Sequence, residues 1–471
     1  MIFIWLDWLP LSLYFLLLIF LTLRKKTKEA ETETSFLLSG RKLTLPAFVA
    51  TLVSTWYGGI LGVGEYTFQF GISQWLLFGF PFYVFAILYA VWLAPKIRSH
   101  AALSIPEAMK TTYGNKAGYA GALGVFLLVN PAPYILMLGF LMKSISGDDT
   151  WLLYAIIIAF FSAFYVSFGG FKAVVRTDIL QIVLMYAGFI ILLAAAWNTL
   201  GSPVVIWEQL PETHRDITGG HPFSYIMVWF FIALWTFVDP GFHQRAAAAE
   251  SPKTARKGIF VSVGFWALFD LLTLGTGLYA YALYAGVLES PILAYPEMAN
   301  QLLPPGLLGL FYTALIAVIM STLDSFLFLA GQTLGRDVLK PALGYSSGVA
   351  LTRVGVFVSA MAGIILLMLF PSVIELWYVI GSVVIPVMLI PVLGAFLPLF
   401  RLPSSWVVPS MAACFGVASG WLFMGVLTNE DLYSYAWLGI EPFYPGLITG
   451  IIFWIAGMAY HRKREKGTSG D

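Results

Sequence analysis

Four oxygen-bearing side chains lie within a long apolar stretch of this 471-residue chain. The stretch AVIMSTLDSFLFL covers residues 317–329 and has Ser321, Thr322, Asp324 and Ser325 at its centre. Positions i, i+3 and i+4 share one helix face, so Ser321, Asp324 and Ser325 lie together, with Thr322 beside them. Hydroxyl and carboxylate oxygens suit hard cations such as Na⁺, whereas zinc and copper favour nitrogen and sulfur. The cluster predicts a cation site, and close helix packing through small polar residues is the alternative.

A glycine-rich stretch earlier in the chain is the second polar feature. The sequence VSTWYGGILGVGEY covers residues 53–66 and contains Gly58, Gly59, Gly62 and Gly64. Each glycine destabilises the interior of a soluble helix by about 1 kcal/mol relative to alanine. Two interpretations follow. The glycines allow close packing against another helix, or they break the helix so that its free carbonyls line a site near the middle of the membrane.

A third stretch places a carboxylate just after a predicted turn. In YVSFGGFKAVVRTDILQ, residues 165–181, Gly169 and Gly170 mark the turn and Asp178 follows near the start of the next helix. Ionisable residues at membrane depth are costly, so Asp178 is a candidate for ion binding. The alternative is a salt-bridged helix N-terminus, where the helix dipole favours negative charge.

A fourth stretch combines a carboxylate with a helix break. In LWTFVDPGFHQR, residues 234–245, the sequence Asp239-Pro240-Gly241 follows Trp235. Proline in a helix interior removes one backbone hydrogen bond and disrupts the helix. We therefore expect this helix to break at Asp239.

The composition is that of an integral membrane protein. Hydrophobic residues make up 59% of the chain and charged residues 11%, whereas a soluble domain has about 25% charged residues. The net charge of +1 gives no indication of a nucleic-acid partner. Cys414 is the single cysteine, and the five histidines lack the spacing of a transition-metal site. The sequence has no GxxxxGK[ST] phosphate loop and no catalytic cluster, which argues against ATP-driven transport and against an enzyme.

Apolar stretches long enough to cross a bilayer recur along the whole chain. A spanning helix needs about 20 apolar residues, and by this measure we expect an all-α polytopic membrane protein with about 13 transmembrane helices. The predicted spans are 8–24, 44–69, 73–95, 118–142, 150–168, 176–198, 223–243, 258–285, 306–331, 348–369, 371–399, 405–427 and 442–460.

The distribution of basic residues predicts the orientation. Asp7 precedes the first span and Arg24 follows it, the reverse of a cleavable signal peptide, so we expect a retained anchor helix with its N-terminus outside. With 13 spans, 24 of the 26 Lys and Arg residues fall in loops and helix ends on the cytoplasmic side, Arg245 among them. Only Lys143 and Arg215 fall outside. The C-terminus and its basic tail are then cytoplasmic.

In order and spacing, these stretches resemble the sodium/solute symporter family. The shared features are LLSGRKL (37–43), GGFKAVVRTDILQ (169–181), the proline and Gln-Arg after the seventh helix, and IMSTLDS (319–325). The resemblance implies a LeuT-type core of two inverted five-helix repeats with flanking helices. The implied divisions are an anchor helix and cytoplasmic linker in 1–43, repeat 1 in 44–198, repeat 2 in 223–399, and two C-terminal helices with a basic tail in 400–471.

The resemblance also implies sites. The family's shared sodium site would use the carbonyls of Ser54, Tyr57 and Val318 and the hydroxyls of Ser321 and Thr322. A second cation site found in some members would use Asp178, Ser321, Asp324 and Ser325. Members often have a hydroxyl where this chain has Asp324, so the carboxylate either strengthens this site or carries a proton. The solute site would lie at the midplane, and the candidates are Trp56, Trp235, Glu375 and Trp377.

The expected function is sodium-driven import of a small polar organic solute by alternating access. No cofactor is expected beyond Na⁺ as coupling ion, and the partners are the solute, Na⁺ and the lipid bilayer. The expected location is the cell membrane, as in a bacterial inner membrane, and a functional monomer is consistent with this architecture. Proton coupling through Asp324 or Asp178 is one alternative. A sensory or channel-like protein with the same fold is another.

Overall fold

Each apolar stretch predicted to cross the membrane forms a helix. The computed structural model of the protein describes residues 3–23, 32–148, 150–368, 372–428 and 435–468, with 461–468 described by backbone alone. The predicted basic tail and residues 25–31 of the linker therefore have no described side chains. Within the described ranges we find α-helices and short 3-10 and π segments, with two isolated bridges in place of β-strands.

The helices up to the middle of the chain are α1 Trp5–Leu23, α2 Glu33–Leu38, α3 Leu45–Trp56, α4 Ile60–Phe70, α5 Phe80–Trp92, α6 Ala94–Ser99, α7 Ile105–Tyr113, α8 Asn115–Leu128, α9 Ala132–Ser146, α10 Trp151–Leu200, α11 Pro203–Gln209 and α12 Glu212–Arg215. Those that follow are α13 Phe223–Ile232, α14 Trp235–Val238, α15 Pro240–Ala248, α16 Pro252–Tyr284, α17 Ala294–Leu302, α18 Leu307–Gln332, α19 Lys340–Leu343, α20 Val349–Leu367, α21 Val373–Phe396, α22 Ser404–Thr428 and α23 Phe443–Thr468.

The number of membrane crossings agrees with the sequence. Twelve helical segments of the described chain are long and apolar enough to span a bilayer, and one of them, α10, has 50 residues. A helix of that length extends for about 75 Å, far more than the hydrocarbon thickness of about 30 Å. Its backbone is non-helical at Gly170, where φ is +62°. Residues 151–169 and 171–200 are therefore two spans that meet at the predicted turn.

Both predicted repeats begin with an interrupted helix. In repeat 1, α3 and α4 are joined by a 3-10 segment over Tyr57–Gly59. In repeat 2, α15 starts at Pro240, and the side chain of Asp239 accepts a hydrogen bond of 2.8 Å from the backbone N–H of Phe242. An aspartate cap followed by proline is a favoured helix start, because proline lacks the N–H that would be unpaired there. A further interruption between α13 and α14 was not predicted.

Burial separates the core helices from the flanking ones. In the most apolar part of α18, 94% of residues are buried, compared with 22% in α1, α22 and α23. The central helix α18 packs against α3, α9, α10 and α20. Polar side chains on α18 therefore face other helices rather than lipid.

Part of the predicted linker is docked on the core. The short helix α2 buries Phe36, Leu37 and Leu38. The carboxylate of Glu33 at its start accepts hydrogen bonds from Lys340 Nζ at 2.6 Å and from the backbone N–H of Gly348 at 2.7 Å. The end of this stretch is thus a short helix that is hydrogen-bonded to the residues following α18.

Candidate functional site

The break between α3 and α4 lies directly against α18 and α21. A Cβ atom placed on Gly58 would lie 2.1 Å from Thr322 Oγ1, and one on Gly59 would lie 1.9 Å from Trp377 Cη2. Real Cβ atoms essentially never lie so close to another atom, so a larger residue at either position would force Thr322 or Trp377 to shift. The two interpretations of the glycine-rich stretch are therefore compatible, since the helix tightens into a 3-10 turn where the two neighbours approach it most closely.

A buried polar cluster joins α3, the second half of α10 and α18. Ser321 Oγ donates to Asp178 Oδ1 at 2.6 Å and lies 3.0 Å from Ser54 Oγ. Thr51 Oγ1 donates to the second oxygen of Asp178. All four side chains are fully buried. The structure thus brings together residues predicted for the shared site and residues predicted for the second site.

The remaining residues of the predicted shared site surround this cluster. Thr322 Oγ1 donates to the carbonyl of Thr55 at 2.6 Å, which ties α18 to the last turn of α3. Val318 lies one turn before Thr322 on α18 and is fully buried. The Tyr57 side chain reaches α16, where its hydroxyl donates to Asp270 Oδ1 at 2.9 Å.

A residue that sequence reasoning placed in a cytoplasmic loop lies in the centre of the cluster. Arg245 is on α15, is fully buried, and its Nη2 lies 3.7 Å from Asp178 Oδ2. Nη2 donates to Thr55 Oγ1 at 2.7 Å and to Ser325 Oγ at 2.9 Å, while Nε donates to Thr51 Oγ1 at 3.2 Å. The earlier placement of Arg245 was wrong because a positive charge close to a predicted helix end was read as a solvent-facing one.

A spacing signal for this part of the site was present in the sequence. Thr51, Ser54 and Thr55 have the i, i+3, i+4 pattern that marked the polar face of α18, and they lie on one face of α3. The two patterned faces meet in the structure. The run of small residues after Arg245 is a weaker signal, because small side chains let neighbouring helices approach closely.

Asp324 has a separate environment. One of its oxygens accepts a hydrogen bond from Ser162 and the other from Tyr165, both on the first half of α10. It is fully buried, and no basic side chain of the described chain forms an ion pair with it. The structure therefore places Asp178, Ser321 and Ser325 in one hydrogen-bonded network and Asp324 in another.

A cavity of about 150 Å³ lies beside the helix breaks. Thr55, Trp56 and Tyr57 at the end of α3 line it, as do Trp235 and Trp377. Arg245 and Thr55 belong to both the cavity wall and the polar cluster, so the two are adjacent. A space of this volume holds a molecule about the size of benzene.

Glu375, the fourth predicted solute-binding residue, does not line this cavity. It lies in the first turn of α21, and its carboxylate accepts a hydrogen bond of 2.6 Å from the Tyr435 hydroxyl. The acidic residues that do line the cavity are Asp239 and Asp270. Both lie within predicted membrane spans, so the sequence indicated that they are buried at membrane depth. Whether they line the same cavity depends on how α15 and α16 pack.

The arrangement suits ion and solute binding. Oxygen ligands from hydroxyl, carboxylate and carbonyl groups surround the glycine break, a donor set that matches a hard cation. Among the described residues, no group of three or more His, Cys, Asp or Glu is placed to hold a metal ion. The adjoining cavity has an aromatic wall with a few polar groups, the usual character of a small-molecule site.

Comparisons with known proteins agree with this description. The model of the family described as "Sodium:solute symporter family" matches residues 36–395. The high-affinity proline transporter PutP of Bacillus subtilis (strain 168) is 25% identical over 338 residues, which cover 66% of this chain and 70% of that protein. A sodium/proline symporter of Staphylococcus aureus is 26% identical over 359 residues, covering 71% of this chain and 68% of that protein.

Solved structures show the same fold. A Na⁺-coupled sialic acid symporter in a substrate-bound outward-open state superposes with a TM-score of 0.73 at 15% identity, covering 96% of this chain and 97% of that chain. The nucleobase-cation-symport-1 family transporter Mhp1 superposes with a TM-score of 0.61 at 14% identity, covering 91% and 95%. The predicted LeuT-type architecture of inverted repeats with flanking helices is confirmed. The matched family model covers most of the chain, and the chain therefore belongs to the sodium:solute symporter family, as a sodium-coupled symporter of a small solute rather than an enzyme.

Proposed function

We propose that Na⁺ binds between the glycine break of α3–α4 and the polar face of α18, and that it drives uptake of a small polar solute held in the adjacent cavity. The ligands would be the carbonyls of Ser54, Tyr57 and Val318 with the hydroxyls of Ser321 and Thr322. The observation that carries this proposal is the position of Thr322, which touches Gly58 at the break and donates to the Thr55 carbonyl. An ion here would hold α18 against the broken helix.

The coupling between ion and solute follows from adjacency along α3. Thr55, Trp56 and Tyr57 line the cavity. Two of the proposed ion-binding carbonyls belong to Ser54, which directly precedes these residues, and to Tyr57, the last of them. Sodium binding would fix this turn and thereby set the solute-binding wall. Rocking of one repeat against the other then moves both ligands across the membrane. Each positive charge that enters gains about 2.3 kcal/mol per 100 mV of membrane potential.

The second cation site is proposed in a narrower form. Asp178, Ser321 and Ser325 remain candidates because they form one network, and Arg245 supplies a fixed positive charge within it. Asp324 remains a candidate for a second ion or for a proton, acting through Ser162 and Tyr165. Proton coupling is the second candidate mechanism, and the buried Asp324 carboxylate without a basic partner is the observation that favours it.

We further propose that the N-terminus faces outward and the C-terminus lies in the cytoplasm of a bacterial cell. Lys143 and Arg215, the two basic residues predicted outside, are both exposed. Arg245 is in the core and no longer counts as a loop residue. The remaining Lys and Arg residues still fall mostly on the predicted cytoplasmic side. The repeats would cover residues 44–198 and 223–399, with 1–43 and 400–471 flanking them.

The solute candidates follow from the cavity and from the relatives. Trp56, Trp235 and Trp377 are proposed to contact the solute, and Glu375 is proposed only as a support for α21. Proline, named for two relatives, is the first compound to test.

The test is radiolabelled uptake into vesicles that contain the purified protein. Imposed Na⁺ and H⁺ gradients are varied separately over amino acids, sugars, carboxylates and vitamins. Uptake that follows the Na⁺ gradient supports the proposal. Uptake that follows only the H⁺ gradient favours the proton-coupled alternative, and the lack of any gradient-driven uptake favours a sensory or channel-like protein.

A further inference from the structure

The buried charges around the cavity are unbalanced. Asp178, Asp239, Asp270 and Asp324 are all buried within the helical core. In the described ranges only two Lys or Arg side chains are buried, Arg245 and Arg336, and Arg336 forms ion pairs with Glu33, Glu107 and Asp337. Among the described residues Arg245 is thus the one buried Lys or Arg left for the four aspartates, and it forms an ion pair only with Asp178. Buried charges that lack a partner are costly, so a further positive charge is favoured in this region.

Arg245 offers little to a negatively charged solute. Besides its ion pair with Asp178, its three nitrogens donate to Thr51, Thr55, Ser325 and the carbonyl of Gly241. The guanidinium also lies 5.6 Å from the centre of the Phe171 ring. Its charge is therefore paired within the protein and four of its five N–H groups are engaged, although the residue lines the cavity.

The cavity wall presents hydrogen-bond acceptors. Asp270 accepts one hydrogen bond from Tyr57 and one from Tyr83, so each of its oxygens keeps a further lone pair. None of the described basic residues forms an ion pair with it. Gln74 also lines the cavity, is buried, and its Oε1 atom has no hydrogen-bond partner. A carboxylate without a basic partner favours a positively charged guest. The unpaired Gln74 acceptor favours a guest that also carries a hydroxyl or N–H donor.

The rest of the wall is suited to such a guest. Four tryptophans, Trp56, Trp229, Trp235 and Trp377, line the cavity. The face of an aromatic ring attracts a cation, and tryptophan does so most strongly. Proteins bind ammonium groups in sites where aromatic rings and carboxylates replace the water molecules around the cation.

We propose that the transported solute is a small organic cation, with an ammonium or quaternary ammonium group placed against Asp270 and the tryptophan wall. This inference rests on the proposed function, because it names the chemical class of the solute in the same cavity. It disfavours carboxylates and zwitterions, for which the cavity has no free positive partner.

The test uses thermal stabilisation of the purified full-length protein in saturating Na⁺, with K⁺ as the ionic control. Choline and tetramethylammonium are the cationic probes, 3,3-dimethyl-1-butanol is the neutral isostere of choline, lactate is the anion and proline is the zwitterion. We expect choline to bind at least about tenfold more tightly than its neutral isostere, since only choline gains the cation–π and carboxylate interactions. Stronger stabilisation by the isostere, lactate or proline than by both cationic probes would overturn the inference.

Single substitutions test whether choline binds in this cavity. Asp270→Asn and Trp56→Leu should each weaken choline binding by at least about tenfold, that is by 1.4 kcal/mol or more, while stabilisation by Na⁺ alone persists. Glu441→Gln is the matched control, because Glu441 also accepts a hydrogen bond from a tyrosine, Tyr378, but does not line the cavity. Unchanged choline binding in both cavity variants would contradict the placement.

The outcomes separate this inference from the proposed function. Stabilisation by Na⁺ without stabilisation by either cationic probe overturns the inference and leaves sodium-coupled transport intact. Loss of both the Na⁺ response and every solute response contradicts the proposed function itself.

Discussion

Arg245 and Asp178 form an ion pair in which both side chains are fully buried, with 3.7 Å between Nη2 and Oδ2. The pair joins α15 of the proposed second repeat to α10 of the proposed first repeat, next to the polar face of α18. Such a pair contributes little net stability, but removal of one partner leaves an uncompensated charge. It therefore fixes how the two repeats meet in this conformation.

Arg245→Gln and Asp178→Asn should each destabilise the protein by about 3–5 kcal/mol, because each leaves the other charge buried and unpaired. The double variant should lose clearly less than the sum. Thermal unfolding of the four purified proteins forms the cycle, with the exposed Lys253→Gln as a control expected to match wild type. Additive losses would show that the two side chains are not coupled.

Gly58→Ala should impair sodium-dependent uptake and cost about 1–3 kcal/mol of stability, because the added methyl group overpacks against Thr322. Gly62→Ala, four residues further along in α4, is the matched control, since its Cβ would meet its nearest atom, Trp377 Cζ3, at an ordinary 3.4 Å. Uptake and unfolding temperature are measured for both. If the two variants had equal uptake and equal unfolding temperatures, the close contact between the break and α18 would not matter for transport or stability.

Asp324→Asn should change the Na⁺ concentration for half-maximal uptake by less than about threefold, because Asp324 is bonded to Ser162 and Tyr165 and lies outside the network of Asp178 and Ser321. Uptake is measured across Na⁺ concentration and pH. Loss of the pH dependence with the Na⁺ response retained would identify Asp324 as a proton carrier. A tenfold increase in the Na⁺ concentration for half-maximal uptake would instead support Asp324 as a ligand of the second cation site.

Single cysteines at Lys143 and Arg215 should react with an impermeant reagent added outside intact cells, and one at Lys253 should not. All three positions are exposed. The native Cys414, which is buried, is replaced by serine in each protein to remove background. Labelling of all three from the same side would reject the proposed orientation.

The fold could be predicted because the bilayer imposes strong rules on sequence. Apolar length located every span, and the Gly169-Gly170 signal located the point where the 50 residues of α10 divide into two spans. The break at Asp239 followed from the aspartate and proline signals. The break between α13 and α14 lacks a proline or glycine, and it depends on tertiary packing that periodicity does not reveal.

The site could be predicted only in part. The i, i+3, i+4 pattern on α18 identified Ser321, and the turn signal led to Asp178, which the structure joins by a hydrogen bond. Arg245 was missed because its role depends on the fold around it: the same charge beside a helix end is a loop residue or a buried ion-pair partner according to how α15 docks. Asp324 and Glu375 show a different limit. Both lie in predicted membrane spans, but Asp324 is not in the network of Asp178 and Glu375 does not line the cavity.

The claim that carries the whole account is Na⁺ binding between the glycine break and α18. Binding of ²²Na⁺ to the purified protein tests it without knowledge of the solute. Wild type should bind ²²Na⁺ saturably. Excess unlabelled Na⁺ should displace the bound ion, and excess K⁺ should not. Ser321→Ala combined with Thr322→Ala should weaken binding by at least about tenfold, since each tenfold loss corresponds to 1.4 kcal/mol of ligand interactions. Ser359→Ala, which removes a buried hydroxyl bonded only within its own helix, should bind as wild type does. Unchanged ²²Na⁺ affinity in a folded double variant would contradict the account.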